Sequence, residues 1–388
     1  MLGAGHFAEA GPILEEALRR FDELHDMAGI VGAALEIVRL YRNERNYEGV
    51  RAMLARAEEC LDDRPETRFI RVRLLEQQII VEMRAQRYRA MAPLAEKLLE
   101  LSTAIGHVEG EALAYRFLGG SAAWQLNVVR ARDFLERAAR LFEKIGNRLQ
   151  SYSVLAESGI MSNLVGRFGD AEAALTEAMQ AASDLEYGFG VATCYVNLAD
   201  TYNRSGHFER SRAACEKALE LWKSLGTEGS LASTLVNLGV AQRGCGDEEL
   251  ALATFERAAA QLGPEAGAQI SAEVQSQLAL SQLRTGRTQA CAETMARLLP
   301  LLNAAATSEF VPEVYAAVVA VLRGIGRSCE ADAIALRGHA VMAKRLRAIP
   351  DDESRRAFSD VAVHKELLDF VPGGVEGRFS DSLALEST

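Results

Sequence analysis

Small and apolar side chains recur along this chain in a helical rhythm that restarts every 40 or 41 residues. Residues 191–226 show one full cycle. Cys194, Val196, Leu198, Ala199 and Tyr202 fall on one face at helical spacing and predict a first helix. Ser205-Gly206-His207 breaks the pattern, with a glycine where the backbone must leave the helix. Phe208, Ser211, Cys215, Ala218 and Leu219 then trace the buried stripe of a second helix, closed by Lys223 to Gly226.

The position of Ser211 is held elsewhere by Ala10, Val50, Met91, Ala131, Ala171, Ala251, Cys291 and Ala331. Seven residues further on stand Ala17, Ala57, Leu98, Ala138, Ala178, Ala218, Ala258, Leu298 and Gly338. Five residues earlier stand Gly5, Arg45, Gln86, Leu126, Gly166, Gly206, Gly246, Gly286 and Gly326. A register kept this long marks stacked helix pairs sharing one continuous core, where small side chains let backbones approach closely. The predicted fold class is all-α, an α-solenoid of about nine helix-turn-helix repeats over residues 1–340. Prolines agree with the register. Pro12 and Pro93 fall early in second helices, Pro312 starts a first helix, and Pro65 and Pro264 lie between units. Pro300 falls late in a helix, which it is expected to kink or end.

With its mid-repeat glycine, the aromatic two residues later and its fixed small positions, the unit resembles a tetratricopeptide repeat (TPR). The matching residues are Gly5-His6-Phe7, Gly166-Arg167-Phe168, Gly206-His207-Phe208, Tyr47 and Tyr88, with Leu118-Gly119, Leu198-Ala199 and Leu238-Gly239 on first helices. A standard repeat has about 34 residues, so each unit here carries about one and a half extra helical turns. Units of this length resemble those of large bacterial signalling and transcriptional regulators. Repeats two, three and eight are degenerate: Arg45 and Gln86 replace the turn glycine, while Glu248, Thr288 and Ser328 replace the aromatic.

The resemblance implies a right-handed superhelix whose first helices line a concave groove. It also implies a role for Asn197 and Asn237, which stand just before the Leu-small pair, where peptide-binding members of the family carry an asparagine. An amide there both donates to and accepts from the backbone of an extended peptide. By register the other groove positions include Arg116, Glu157, Asn163, Asp200 and Asn203. Arg204, Arg243, Gln277 and Arg284 complete the set. Arginine recurs at first-helix ends, at Arg42, Arg84, Arg204, Arg243, Arg284 and Arg323. Such a ladder suits an acidic or phosphorylated ligand; equally, cations near helix C-termini are favourable by themselves.

The first repeat has a second helix (about 8–24) and almost nothing before its turn. An apolar flank needs a cap, so the chain is expected either to be a piece of a longer protein or to pack its first helix on a partner. After Gly338 the pattern changes, and Ile349-Pro350-Asp351-Asp352 reads as a stop followed by a new helix start. Residues 341–372 are expected to form capping helices over the last open face, and 373–388 a disordered tail. The stretch 346–370 resembles the closing segment of regulators that join an ATPase to such repeats.

Lys plus Arg is 43 against 54 for Asp plus Glu, a formal charge of −11 that argues against a duplex-DNA or anionic-membrane surface. The six cysteines show no metal-ligand spacing, and Cys215 and Cys291 fall on core positions, which fits a reducing cytoplasm. No apolar run reaches the roughly 20 residues needed to cross a bilayer, and no secretory signal opens the chain. Phosphate loops, zinc-protease and nucleophile-elbow motifs are missing, and the six histidines are scattered. No catalytic residue, cofactor or metal site is therefore expected. The expected function is a non-enzymatic scaffold that binds a peptide or protein segment in the groove. The alternative is the effector-sensing region of a larger ATPase-linked transcription activator or nucleotide cyclase.

Overall fold

A computed structural model describes residues 7–43, 46–61, 64–84, 87–226, 231–263, 266–304 and 311–370. Among them every regular element is an α-helix. The first stretch holds α1 (Phe7–Glu23), α2 (Met27–Asn43), α3 (Tyr47–Glu59), α4 (Pro65–Arg84), α5 (Tyr88–Ile105), α6 (Val108–Trp124) and α7 (Val128–Lys144). Next come α8 (Arg148–Leu164), α9 (Phe168–Asp184), α10 (Gly188–Arg204), α11 (Phe208–Ser224), α12 (Leu231–Gly244) and α13 (Glu248–Ala260). The chain continues with α14 (Ala268–Arg284), α15 (Thr288–Ala304), α16 (Pro312–Gly324) and α17 (Ser328–Ala348), then the short α18 (Asp352–Asp360) and α19 (Ala362–Leu368). No described helix is long and apolar enough to cross a membrane.

The helices form two compact units, one running to Val154 apart from residues 126–128, the other from Leu155 onward. In the first unit, consecutive helices from α1 to α6 pack on one another, and first helices α2, α4 and α6 also touch in sequence. Its core holds Val50, Leu54 and Ala57 of α3 with Leu74 and Val81 of α4, then Met91, Leu98, Phe117, Ala138 and Phe142. In the second unit, helices from α9 to α15 pack consecutively, while α10, α12, α14 and α16 form an inner layer in which each touches the next. From Val50 onward, every small or apolar residue at the two repeated second-helix positions is buried. Only Ala10 and Ala17 of α1 are half-buried. The register therefore marks the packed seam, at the close approach that small residues permit.

The turn within each repeat from the fourth to the ninth is left-handed. Gly206, Gly246, Gly286 and Gly326 have φ between 72° and 90°, and a Cβ added at any of them would meet nothing within 4 Å. Conformation alone explains these glycines. Leu126 takes the same place with φ 57°, so this turn tolerates the strain of a side chain. Gly5, His6, Arg45, Gln86, Pro264 and the tail 373–388 lie outside the described residues, as do the side chains of Phe7, Arg42, Arg84 and Tyr88. Pro65 is the first residue of α4 rather than part of a linker, a position where its missing N–H costs nothing. α15 runs through Pro300 to Ala304, so the proline does not end the helix at its own position.

α17 stops at Ala348, and the Asp351 side chain accepts from the Ser354 N–H at 2.8 Å to start α18. Ile349, Phe358, Val361, Leu367 and Phe370 are buried. α19 packs on α16 and α17, next to the last pair. The two short helices also reach much farther back. At Gly166, the turn before α9, an added Cβ would come within 2.6 Å of the Ala357 carbonyl of α18. Arg167 pairs with Glu353 at 3.6 Å.

Candidate binding face

The polar side chains of the second unit gather on its inner layer in three groups. The largest converges on Arg204, at the end of α10. Its guanidinium donates through Nη1 to the Asn163 carbonyl at 2.6 Å and through Nη2 to His364 Nε2 of α19 at 2.9 Å. Its Nε lies 3.3 Å from Glu313 Oε1 of α16. Asn163 Nδ2 donates to Asp200 at 2.6 Å. His364 donates from Nδ1 to the Phe358 carbonyl at 2.8 Å, leaving Nε2 as the acceptor that Arg204 uses. Burial, with Arg204 beside it, pushes His364 down to about 3, so the ring stays neutral.

Glu273 of α14 belongs to the same group. Burial, together with the charges of Glu313 and Asp200, pushes it up to about 7, although Gln269 donates to it at 2.8 Å. Asp200 is also pushed up, first by desolvation and further by Glu313, with Arg204 opposing. The second group is a ladder between first helices: Asn203 Nδ2 donates to the Asn237 carbonyl at 2.9 Å, and Asn237 Nδ2 to the Val196 carbonyl at 3.2 Å. In the third, Arg243 of α12 donates to Gln277 of α14 and lies over the Phe255 ring. Burial, then the nearby Arg284, pushes Arg243 down to about 10.

Of the residues predicted from register, Asn163, Asp200 and Arg204 come together, as do Asn203 with Asn237 and Arg243 with Gln277. Arg284 faces Glu248 at 3.5 Å, and Asn197 and Glu157 are half-buried on α10 and α8. Arg116 belongs to the first unit, where it donates to Gln150 at 2.6 Å. The arginine ladder is spent internally at each described member, since Arg323 pairs with Asp332 at 3.1 Å. Trp222 is buried against Phe189, whereas Trp124 is 45% exposed.

The register did not single out Glu273, Glu313 or His364. A signal existed for the first two: they stand one 40-residue period apart, where earlier repeats carry Ser153, Thr193 and Ser233. Several buried polar atoms on this face have no hydrogen-bond partner, among them Asn163 Oδ1, Asn203 Oδ1, Arg204 Nε, Arg243 Nη1 and Glu313 Oε1. Asn163 is only 6% exposed and Arg243 8%. Unmet polar atoms this deep are costly. Among the described residues, no cluster of three His, Cys, Asp or Glu is placed to hold a metal ion.

A tetratricopeptide-repeat family model matches residues 150–224 and 190–263. Residues 150–263 are thus a run of tetratricopeptide repeats. No curated protein sequence matches it. The array is similar in fold to a Rap protein complexed with Competence and Sporulation Factor, at TM-score 0.57 and 15% identity, covering 89% of this chain and 99% of that one. It is also similar to NprR in complex with its cognate peptide NprX, at TM-score 0.56 and 13% identity, covering 89% and 100%. A signal transduction ATPase with numerous domains and a tetratricopeptide-repeat sensor, from Pyrococcus horikoshii, matches at TM-score 0.53 and 16% identity over 78% of this chain and 49% of that one. These likenesses are of fold.

Proposed function

We propose that this chain is a non-enzymatic scaffold that binds an extended protein or peptide segment on the inner layer of its second unit. The observation that carries this reading is the set of buried, unpartnered polar atoms on that face, Asn163 Oδ1, Asn203 Oδ1 and Arg243 Nη1. A peptide backbone supplies N–H and C=O groups at every residue and so meets both kinds of unmet atom at once. Asn197 and Asn237 lie along the same layer, one repeat apart. Of the proteins similar in fold, NprR was solved with its cognate peptide NprX, and the Rap protein with Competence and Sporulation Factor. The face calls for no membrane and no direct DNA contact, consistent with the net negative charge.

A second reading makes the same face the effector-sensing part of an ATPase-linked regulator. Its support is the fold shared with the tetratricopeptide-repeat sensor of the Pyrococcus ATPase.

Selecting 12-residue peptides from a random display library on the purified chain tests the first reading. Peptides that bind the chain and lose affinity with Asn203→Ala and Arg243→Gln are expected. A library that yields no binder, or binders indifferent to both variants, overturns the reading.

A further inference from the structure

The inner layer of the second unit gathers more carboxyl groups than its own cations can pair. Asp200, Glu273 and Glu313 come from α10, α14 and α16, and Arg204 is the cation they share. Arg204 is mostly committed elsewhere: Nη1 serves the Asn163 carbonyl and Nη2 serves His364, leaving only Nε facing a carboxylate, that of Glu313. Asp200 receives one neutral donor, the Asn163 amide, and Glu273 one neutral donor, the Gln269 amide. His364 brings no charge, since burial and Arg204 hold it neutral.

A second observation points the same way. Asn163 is more than nine-tenths buried, its Nδ2 is fixed on Asp200, and its Oδ1 has no partner. Glu313 Oε1 is likewise buried and faces Arg204 without making a hydrogen bond. Two of the three unmet atoms in this group, Asn163 Oδ1 and Glu313 Oε1, are thus acceptors beside the carboxyl cluster, and the third is Arg204 Nε. The complement of such a group is a cation rich in N–H donors.

We propose that this face holds a subsite for a cationic side chain of the bound segment, a guanidinium or ammonium, received by Asp200, Glu273 and Glu313 with the Asn163 amide oxygen. The inference rests on the reading of the layer as a peptide-binding face and names the chemistry recognised there. An entering guanidinium supplies the donor that Asn163 Oδ1 lacks and favours the ionised form of carboxyls that burial and crowding keep from ionising. Like-charge crowding before binding becomes pairing after it, so the subsite selects strongly against neutral and acidic residues.

The probes are 12-residue peptides selected on the wild-type chain and titrated by fluorescence anisotropy. Binders with one indispensable Arg or Lys are expected, and replacing an essential Arg by citrulline should weaken binding by about tenfold or more. That discrimination should shrink in the Glu273→Gln and Glu313→Gln chains, with thermal melts confirming that both fold. Binders that tolerate citrulline everywhere overturn the subsite and leave the peptide-binding reading standing. Unchanged discrimination in both variants also overturns it, by placing the cation elsewhere. Failure to select any binder overturns both.

Discussion

Arg204 and Glu313 lie on first helices three places apart, α10 and α16, yet their charged groups approach to 3.3 Å. Neighbouring packed helices sit about 8–10 Å apart, so three steps in a flat layer would separate these axes by roughly 24–30 Å. An Arg–Glu pair cannot bridge that distance. Within the second unit the inner layer must therefore curl tightly, and α19 sits at the closure with His364 on the same guanidinium. The curl is what brings Glu313 of α16 and His364 of α19 onto the guanidinium at the end of α10.

Arg204→Met should therefore destabilise the second unit. It strips donors from the Asn163 carbonyl and from His364, and removes the ion partner of Glu313. Arg204 is only 10% exposed, but Glu313 keeps 36% access to water, which lowers the cost. About 1–3 kcal/mol is expected in urea unfolding. Glu313→Gln should cost less, because it also relieves repulsion with Asp200 and Glu273. The reverse order of the two losses would mean that the pair does not fasten the curl.

Two glycines in equivalent turns separate conformation from contact. Gly206 has φ 79° and open space where a Cβ would stand, so Gly206→Ala should cost only the left-handed penalty of about 1–2 kcal/mol. Gly166 has φ 81°, but its Cβ would press on the Ala357 carbonyl at 2.6 Å. Gly166→Ala should add about 1–3 kcal/mol of overpacking. Hydrogen exchange should also quicken in α18 and α19 for this variant alone. Equal losses at both sites, with no change in α18, would show that the C-terminal helices are not held against this turn.

Glu273 makes stability depend on pH in a defined direction. Its folded value is raised to about 7, against about 4.3 for an unfolded glutamate. Between those values the folded chain holds a proton that the unfolded chain has lost. The stabilisation is full below the unfolded value and disappears as pH rises through about 7. Glu273→Gln removes the dependence, so the variant should gain stability relative to wild type between pH 5 and pH 8. Parallel melting curves for the two chains across that range would show Glu273 ionised in the folded state throughout.

The repeat register made the helices and their buried seam legible, because close approach demands small residues at a fixed place, as Ala171, Ser211, Ala251 and Cys291 show. It also brought Asn163, Asp200 and Arg204 into the candidate set. The depth of the curl was hidden, because a period gives the order of helices and not the angle between successive pairs. Glu313 thus looked three layers away from Arg204. His364 was harder still, since it lies 160 residues from Arg204 along the chain and outside the repeat pattern. Leu126 shows a different limit: the register places the turn but not its conformation, and the backbone keeps the left-handed form without a glycine.

Asn197 and Asn237 share a register position and differ in what they do in the free chain. Asn237 donates to the Val196 carbonyl at 3.2 Å and its own carbonyl receives Asn203. Asn197 is half-buried on α10, one repeat earlier. Asn237→Ala should cost about 0.5–1.5 kcal/mol through the lost inter-helix bond. Asn197→Ala should change stability by less than about 0.5 kcal/mol. If both amides hold the backbone of a bound segment, each variant weakens binding of a selected 12-residue peptide, and the pair weakens it further. Stability and affinity then separate cleanly at Asn197, where only affinity moves. Wild-type affinity in the Asn197→Ala chain would place the bound segment off this row and leave Asn237 as a rung between helices.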